Sequence, residues 1–160
     1  DPGEAVAWTD VVAAANAIRA RLHAFGLESF VRLTGGKGLH VVAPVTIGPE
    51  WAQVKRFCEN FADALVGDRP DIYIASAAKA RRRHRIFVDW LRNVRGATSV
   101  ASWSLRAHVG APVAMPLRWD ELGSVEGPKA YDLATALRRC AALKRDPWAG
   151  LGELRQHLPV

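Results

Sequence analysis

Residues 29–45 read SFVRLTGGKGLHVVAPV. Two apolar stretches, 29–33 and 38–45, have the composition of β-strands, and Gly35-Gly36-Lys37-Gly38 supplies the turn between them. Alternation along the second strand puts His40 on the same face as Val42. Upstream, Thr9 can cap a helix running to about Phe25, and Val11, Ala15, Ile18, Leu22 and Phe25 recur at helical spacing. Gly26 suits its end. Downstream, Pro49 suits the first turn of a second helix, with Trp51, Val54, Phe57, Cys58, Phe61 and Leu65 as its buried stripe. Gly67 ends that helix and Pro70 prevents a restart.

Ile86-Phe87-Val88-Asp89-Trp90-Leu91 reads as a strand apolar on both faces, hence central in a sheet. Residues 98–117 read as short strands interrupted by Gly110, Pro112 and Pro116. A third helix follows Gly127-Pro128, with Tyr131, Leu133, Leu137 and Cys140 as packing positions, and the tail from Pro147 reads as irregular. No repeat, linker or low-complexity tract divides residues 1–160, so a single domain is expected. The order α-β-β-α-β-β-β-α predicts an α/β (α+β) fold with a mixed or antiparallel sheet flanked by helices.

Composition excludes several classes. The chain has 160 residues, 49% of them hydrophobic, which is enough for a packed core and unlike a disordered segment. No uninterrupted apolar stretch is long enough for a membrane span. Cys58 and Cys140 are far apart and outside any ligand spacing, which predicts reduced core thiols and a cytoplasmic protein. The net charge is +6. Residues 79–95 hold Lys79, Arg81, Arg82, Arg83, Arg85, Arg92 and Arg95 against Asp89 alone, so this window equals the whole excess. Clustered positive charge is the footprint of a polyanion partner, although a solvated loop would have the same composition.

Two local patterns carry chemistry. Glycines allow the backbone to approach a phosphate closely, successive N–H groups can form an anion nest, and Lys37 adds a point charge. His40 can donate to a phosphate oxygen. The turn lacks the Ser or Thr and the following helix of a Walker A loop. An ordinary glycine hairpin with a half-exposed histidine accounts for the same residues. Asp89 is the second pattern. A carboxylate on an apolar central strand needs compensation. A divalent cation would provide it, and so would Arg92 or Arg95.

Three stretches together, Asp1-Pro2-Gly3, residues 29–45 and RIFVDWLRNVRGATSVASWSLRAHVGAPVAMPLRWDEL at 85–122, resemble the polymerase (primase-polymerase) domain of bacterial ATP-dependent DNA ligase D, in the archaeo-eukaryotic primase superfamily. The resemblance implies a metal-dependent nucleotidyltransferase that adds NTPs or dNTPs to primer 3′ ends in non-homologous end joining. It implies that Asp1 and Asp89 are catalytic ligands of two Mn²⁺ or Mg²⁺ ions. It also implies that Thr34, Gly36, Lys37 and His40 bind the nucleotide phosphates, with Thr34 standing where the family has Ser but keeping the hydroxyl. Arg92 and Arg106 fall where the family carries basic residues near the nucleotide. Lys79, Arg81, Arg82, Arg83 and Arg85 would then meet nucleic acid.

The same resemblance implies that the fold is incomplete at the N-terminus. The family's first aspartate, two positions before Asp1, and much of the site gripping a 5′-phosphorylated DNA end would lie upstream. Residues 1–160 alone are therefore expected to be weak or inactive. A ligase module and the bacterial Ku protein are the implied partners, with the nucleoid as the working place. A stand-alone primase-polymerase and a non-catalytic nucleic-acid-binding module are the alternatives.

Overall fold

In the computed structural model, which describes residues 1–159, the elements run α1 (Trp8–Ala24), β1 (Phe30–Leu33), β2 (Leu39–Val42), α2 (Trp51–Asp68), β3 (Tyr73–Ile74), β4 (Ile86–Phe87), β5 (Pro116–Leu117) and α3 (Leu133–Ala142). The glycine hairpin forms the heart of a three-stranded antiparallel sheet ordered β2-β1-β5. Arg32 stands opposite His40, and Leu33 opposite Leu39. The Thr34 N–H donates to Gly38 O at 3.1 Å and closes the turn. Gly35 sits at φ +66°, a left-handed position where a Cβ would be strained.

Pro116 lies inside β5 instead of breaking it, which corrects the reading of this proline as an interruption. Leu33 and Met115 exchange both backbone hydrogen bonds, at 2.9 and 3.1 Å. Pro116, opposite Arg32, therefore occupies the next pair, where a backbone N–H would point away from β1 and is not needed. The preceding chain folds back on residues 112–114. Trp103 N–H donates to Ala114 O at 2.7 Å, and Arg106 N–H to Pro112 O at 2.8 Å. This hairpin brings Ser102 and Arg106 beside β1. Of the several short strands expected in 98–117, β5 and a Leu105–Val113 bridge form.

The second sheet is parallel and pairs β3 with β4, Tyr73 opposite Ile86. On the other edge of β4 lie residues 1–3. The Phe87 N–H donates to Asp1 O at 2.9 Å, the Asp1 amino group to Phe87 O at 3.0 Å, and Gly3 N–H to Arg85 O at 2.9 Å. Pro2 faces Ile86 in an antiparallel bridge. β4 is thus flanked on both sides, as expected of a central strand, but it is shorter than the predicted 86–91. Trp90 N–H turns back to Val88 O at 3.0 Å, and Asn93 N–H to Trp90 O at 3.2 Å. Asp89 therefore sits just past the strand, at the start of a turn.

Helix α1 packs between two apolar clusters. Ala15 joins Val31, Leu33, Met115, Leu117 and Leu122 on one side. Val11 and Ala14 meet Leu65, Tyr73 and Ile86 on the other. Leu39 and Val41 pack against the first cluster, so Arg32 and His40 occupy the opposite face of the sheet.

Several predicted ends shift. Ala7, not Thr9, occupies the cap of α1, and Phe25 is largely exposed, its ring against Phe57 and Phe61. Glu50 caps α2 through a capping box with Gln53, which leaves Pro49 outside the helix. The helix passes Gly67 and ends at Asp68. Its buried side chains are Ala62 and Leu65, and Trp51 is exposed. In α3, Asp132 caps Thr135 and only Ala136 is buried, while Leu133, Leu137 and Cys140 face outward. The helix is held instead by Arg139, which donates from both terminal nitrogens to Glu121 at 2.8 Å. Both cysteines are free, but neither is a core thiol: Cys58 is half-buried and Cys140 exposed. Burial pushes the Cys58 thiol up to about 11. Among the described residues the tail from Pro147 has no helix or strand, yet it is docked. Trp148 donates to Val31 O at 3.0 Å, and the Gln156 amide pairs with the Glu28 backbone at 2.9 Å in both directions. Among the described residues no helix is long and apolar enough to cross a membrane.

Candidate nucleotide and nucleic-acid site

The glycine turn, the Asp1–Gly3 segment and the Asp89 turn meet along one side of the two sheets. Gly38 packs against the N-terminal segment so closely that a Cβ there would lie 2.9 Å from Pro2 Cδ and 3.5 Å from Asp1 Cα. A Cβ on Gly35 would lie 2.8 Å from Arg106 Cγ. The turn is thus wedged between Asp1-Pro2 and Arg106: a neighbour crowds each of these two glycines, and at Gly35 the left-handed backbone favours glycine as well.

Asp1 and Asp89 each carry an arginine. Asp1 Oδ2 lies 2.6 Å from Arg82 Nη1, and Asp89 Oδ2 lies 2.9 Å from Arg92 Nε. Of the two arginines open to Asp89, Arg92 is the one that pairs with it. Asp1 pairs with Phe87 across the strands, and Asp89 follows Phe87 by two residues, so both carboxylates stand at the same end of β4. The Asp1 amino group feels the charge of Asp89, Arg82 and Arg92, and burial lowers it to about 6. The oxygen donors of Asp1 and Asp89 suit a hard divalent cation. Together they would supply only part of a coordination shell, and each would have to release its arginine on binding. Among the described residues no cluster of three or more His, Cys, Asp or Glu side chains forms.

His40 is ringed by cations. Burial, then Arg32, Arg92, the Asp1 amino group and Arg106, hold its pKa at about 4. The ring is neutral at pH 7. Arg32, a residue the sequence reading did not single out, stands 2.9 Å from His40 Nδ1 through Nη2. Counting outward from the glycine turn pairs these two residues, and that was the available signal. A site with this many positive groups around a neutral donor favours a polyanion.

The other expected phosphate groups vary in their engagement. The Thr34 hydroxyl donates to Gly38 O at 2.8 Å and accepts from Gly36 N–H at 3.1 Å. Both groups are therefore used inside the turn. Lys37 is exposed at its tip. In the basic window, Lys79, Arg81 and Arg83 project into solvent around a short 3₁₀ turn, and Arg85 is half-buried with a 2.7 Å bond to Arg81 O. Arg82 behaves differently from its neighbours. Its guanidinium is stacked 4.0 Å over the Phe87 ring, bonded to Asp1 and Ala77 O, and only 13% exposed. Gly3 makes this fit: a Cβ there would overlap Arg82 O. A separate cleft of about 410 Å³, lined by Arg19, Phe30 and Trp119, shares no lining residue with this site.

Comparison with known proteins shows the family of the chain. The family described as LigD, primase-polymerase domain, matches residues 1–148. The chain is 35% identical over 159 residues to the multifunctional non-homologous end joining protein LigD of Pseudomonas aeruginosa, covering 99% of this chain and 19% of that protein. It is 33% identical over 128 residues to the protein of the same description from Mycolicibacterium smegmatis, covering 79% of this chain and 16% of that protein. The chain therefore spans less than a fifth of the length of these relatives. Among solved structures, the polymerase domain from Mycobacterium tuberculosis ligase D in complex with DNA superposes with a TM-score of 0.86 at 29% identity, over 96% of this chain and 53% of that one.

Proposed function

Because the chain belongs to the LigD primase-polymerase family, we propose that its site transfers nucleotides from NTPs or dNTPs to the 3′ end of a DNA primer during non-homologous end joining. The observation that carries this reading is the wedging of the glycine turn between Asp1-Pro2 and Arg106, beside Asp89. It collects carboxylates, cations and a neutral histidine in one place. A relative's polymerase domain has been solved with DNA, which supports nucleic acid as a partner of this chain too.

In this reading His40 donates to the triphosphate, and Lys37, Arg92 and Arg106 balance its charge as pyrophosphate departs. Asp1 and Asp89 would hold Mn²⁺ or Mg²⁺, which supply Lewis-acid activation of the attacking hydroxyl and stabilisation of the leaving group. Arg92 and Arg82 then move from the carboxylates to phosphate oxygens. Lys79, Arg81, Arg83 and Arg85 contact the nucleic-acid backbone. A ligase module, Ku and a 5′-phosphorylated end complete the repair setting in the bacterial cytoplasm.

Labelled NTP or dNTP addition to a recessed primer–template with Mn²⁺ tests the reading. The chain itself, a version extended upstream through the family's first aspartate, and the extended Asp89→Ala variant are compared. The expected result is activity in the extended form that disappears with Asp89→Ala. No addition by any form, with DNA binding intact, would favour a binding module instead. The arginines already neutralising both carboxylates are the observation on that side.

A further inference from the structure

Arg32 is buried, at 6% exposure, on the face of β1 that carries the site. Burying a guanidinium is costly unless a carboxylate pairs with it, and among the described residues none does. Its Nε has no hydrogen-bond partner among the described residues either. What it does contact is specific. Nη2 is 2.9 Å from His40 Nδ1, Nη1 is 3.2 Å from Ser102 Oγ, and the guanidinium lies 5.2 Å from the centre of the Trp148 ring. Trp148 is itself pinned by its bond to Val31 O. Ser102 is carried by the hairpin that also carries Arg106, so the arginine is fixed from three directions.

The chemistry of the His40 contact has one solution. An arginine at physiological pH has donors and no acceptor. The imidazole nitrogen facing it must therefore be the bare one. A neutral ring with Nδ1 bare carries its proton on Nε2. Protonating both nitrogens would set an N–H against an N–H and a cation against a cation directly across the strand pair.

We propose that Arg32 is a positioning residue that locks His40 as the Nε2–H tautomer, leaving a neutral donor for a triphosphate oxygen. The inference rests on the reading of His40 as a phosphate ligand. It adds the residue that sets the proton's place. Without Arg32, the ring can take the other tautomer and present a lone pair where a donor is needed. Ser102 and Trp148 act one step further out, by holding the guanidinium in plane.

Nitrogen NMR of the labelled protein reads the tautomer directly, since a protonated and a bare imidazole nitrogen have widely different shifts. His40→Gln assigns the signal among the five histidines. The wild-type chain should show Nε2 protonated and Nδ1 bare. Arg32→Met should admit the Nδ1–H form, and Arg32→Lys, which keeps a cationic donor, should retain Nε2–H. Binding of MgATP, followed by titration, should weaken roughly tenfold in Arg32→Met and recover in Arg32→Lys. A wild-type ring protonated on Nδ1, or an unchanged tautomer in folded Arg32→Met, overturns the proposal. So does a tautomer change that leaves MgATP affinity unaltered. Should the wild type bind no MgATP while its tautomer responds to Arg32 as stated, the phosphate-site reading fails and the control of the His40 proton by Arg32 stands. The wild-type tautomer is read with His40→Gln for assignment and needs no Arg32 variant to fold.

Discussion

Acidification should destabilise this protein through one identifiable side chain. Burial and the surrounding cations hold His40 at about 4, against an ordinary 6.5. Between those values the unfolded chain binds a proton that the folded chain refuses, so stability rises with pH across the window and is lost as pH falls through it. At 1.36 kcal/mol per pH unit, full passage through the window corresponds to about 3 kcal/mol, and at pH 4.5 about 2.5 kcal/mol of it should be gone. The assay is urea unfolding at pH 7.5 and 4.5, for the wild type and for His40→Gln, which cannot titrate. The carboxylates, the other histidines and the Asp1 amino group, which burial lowers to about 6, titrate in both proteins and largely cancel in the comparison. The wild type should therefore lose about 2.5 kcal/mol more than the variant on acidification. Arg32→Met, by removing the nearest cation, should reduce that loss. Parallel stability profiles for wild type and His40→Gln would refute the reasoning, because they would mean that the ring is not held neutral by its neighbours.

Glu121→Ala should destabilise by about 2–3 kcal/mol in thermal or urea unfolding, since it strands the half-buried Arg139 guanidinium and frees α3. Burial works to raise the Glu121 carboxyl, but its bonds from Arg139 and Arg118 hold it lower than usual. That contribution is therefore present above the ordinary carboxylate range and fades as pH falls through it. Leu33→Ala, at a fully buried position in the cluster under β1, should cost about 2–5 kcal/mol by the same assay. Gly38→Ala should push Asp1-Pro2 away from the glycine turn and reduce primer extension by the extended form far more than it reduces stability. Unchanged extension would mean that this contact does not organise the site. Replacing Lys79, Arg81 and Arg83 with Ala should weaken DNA binding and flatten its dependence on salt, the slope falling by about one for each phosphate that is no longer neutralised. An unaltered salt slope would remove this turn from the interface.

Much of the layout was legible from the sequence because it rests on local periodicity. Strand alternation on either side of Gly35–Gly38 carries the register Leu33–Leu39 and Arg32–His40, and helical spacing marks the three helices to within a few residues of their ends. The motifs around Thr34–His40 and Asp89 pointed to one family, and the match over residues 1–148 agrees. Other features have no local signature. β3 is two residues long and gains meaning only by pairing in parallel with β4. Pro116 reads as a breaker until its register with Arg32 shows that no N–H is needed there. The outward leucines of α3 follow the helical period but point away from the core, because Arg139 and Glu121, not an apolar stripe, decide how that helix docks. The site's electrostatics are likewise tertiary. Arg82 reaches Asp1 across 81 positions of chain, and Arg32 meets Ser102 across 70. Side-chain spacing along a helix or strand repeats within a few residues and can be read there. The Asp89–Arg92 pair lies within three residues and was open to the sequence, but which cation neutralises Asp1, and which nitrogen of His40 carries its proton, depends on groups that become neighbours only when distant segments pack together.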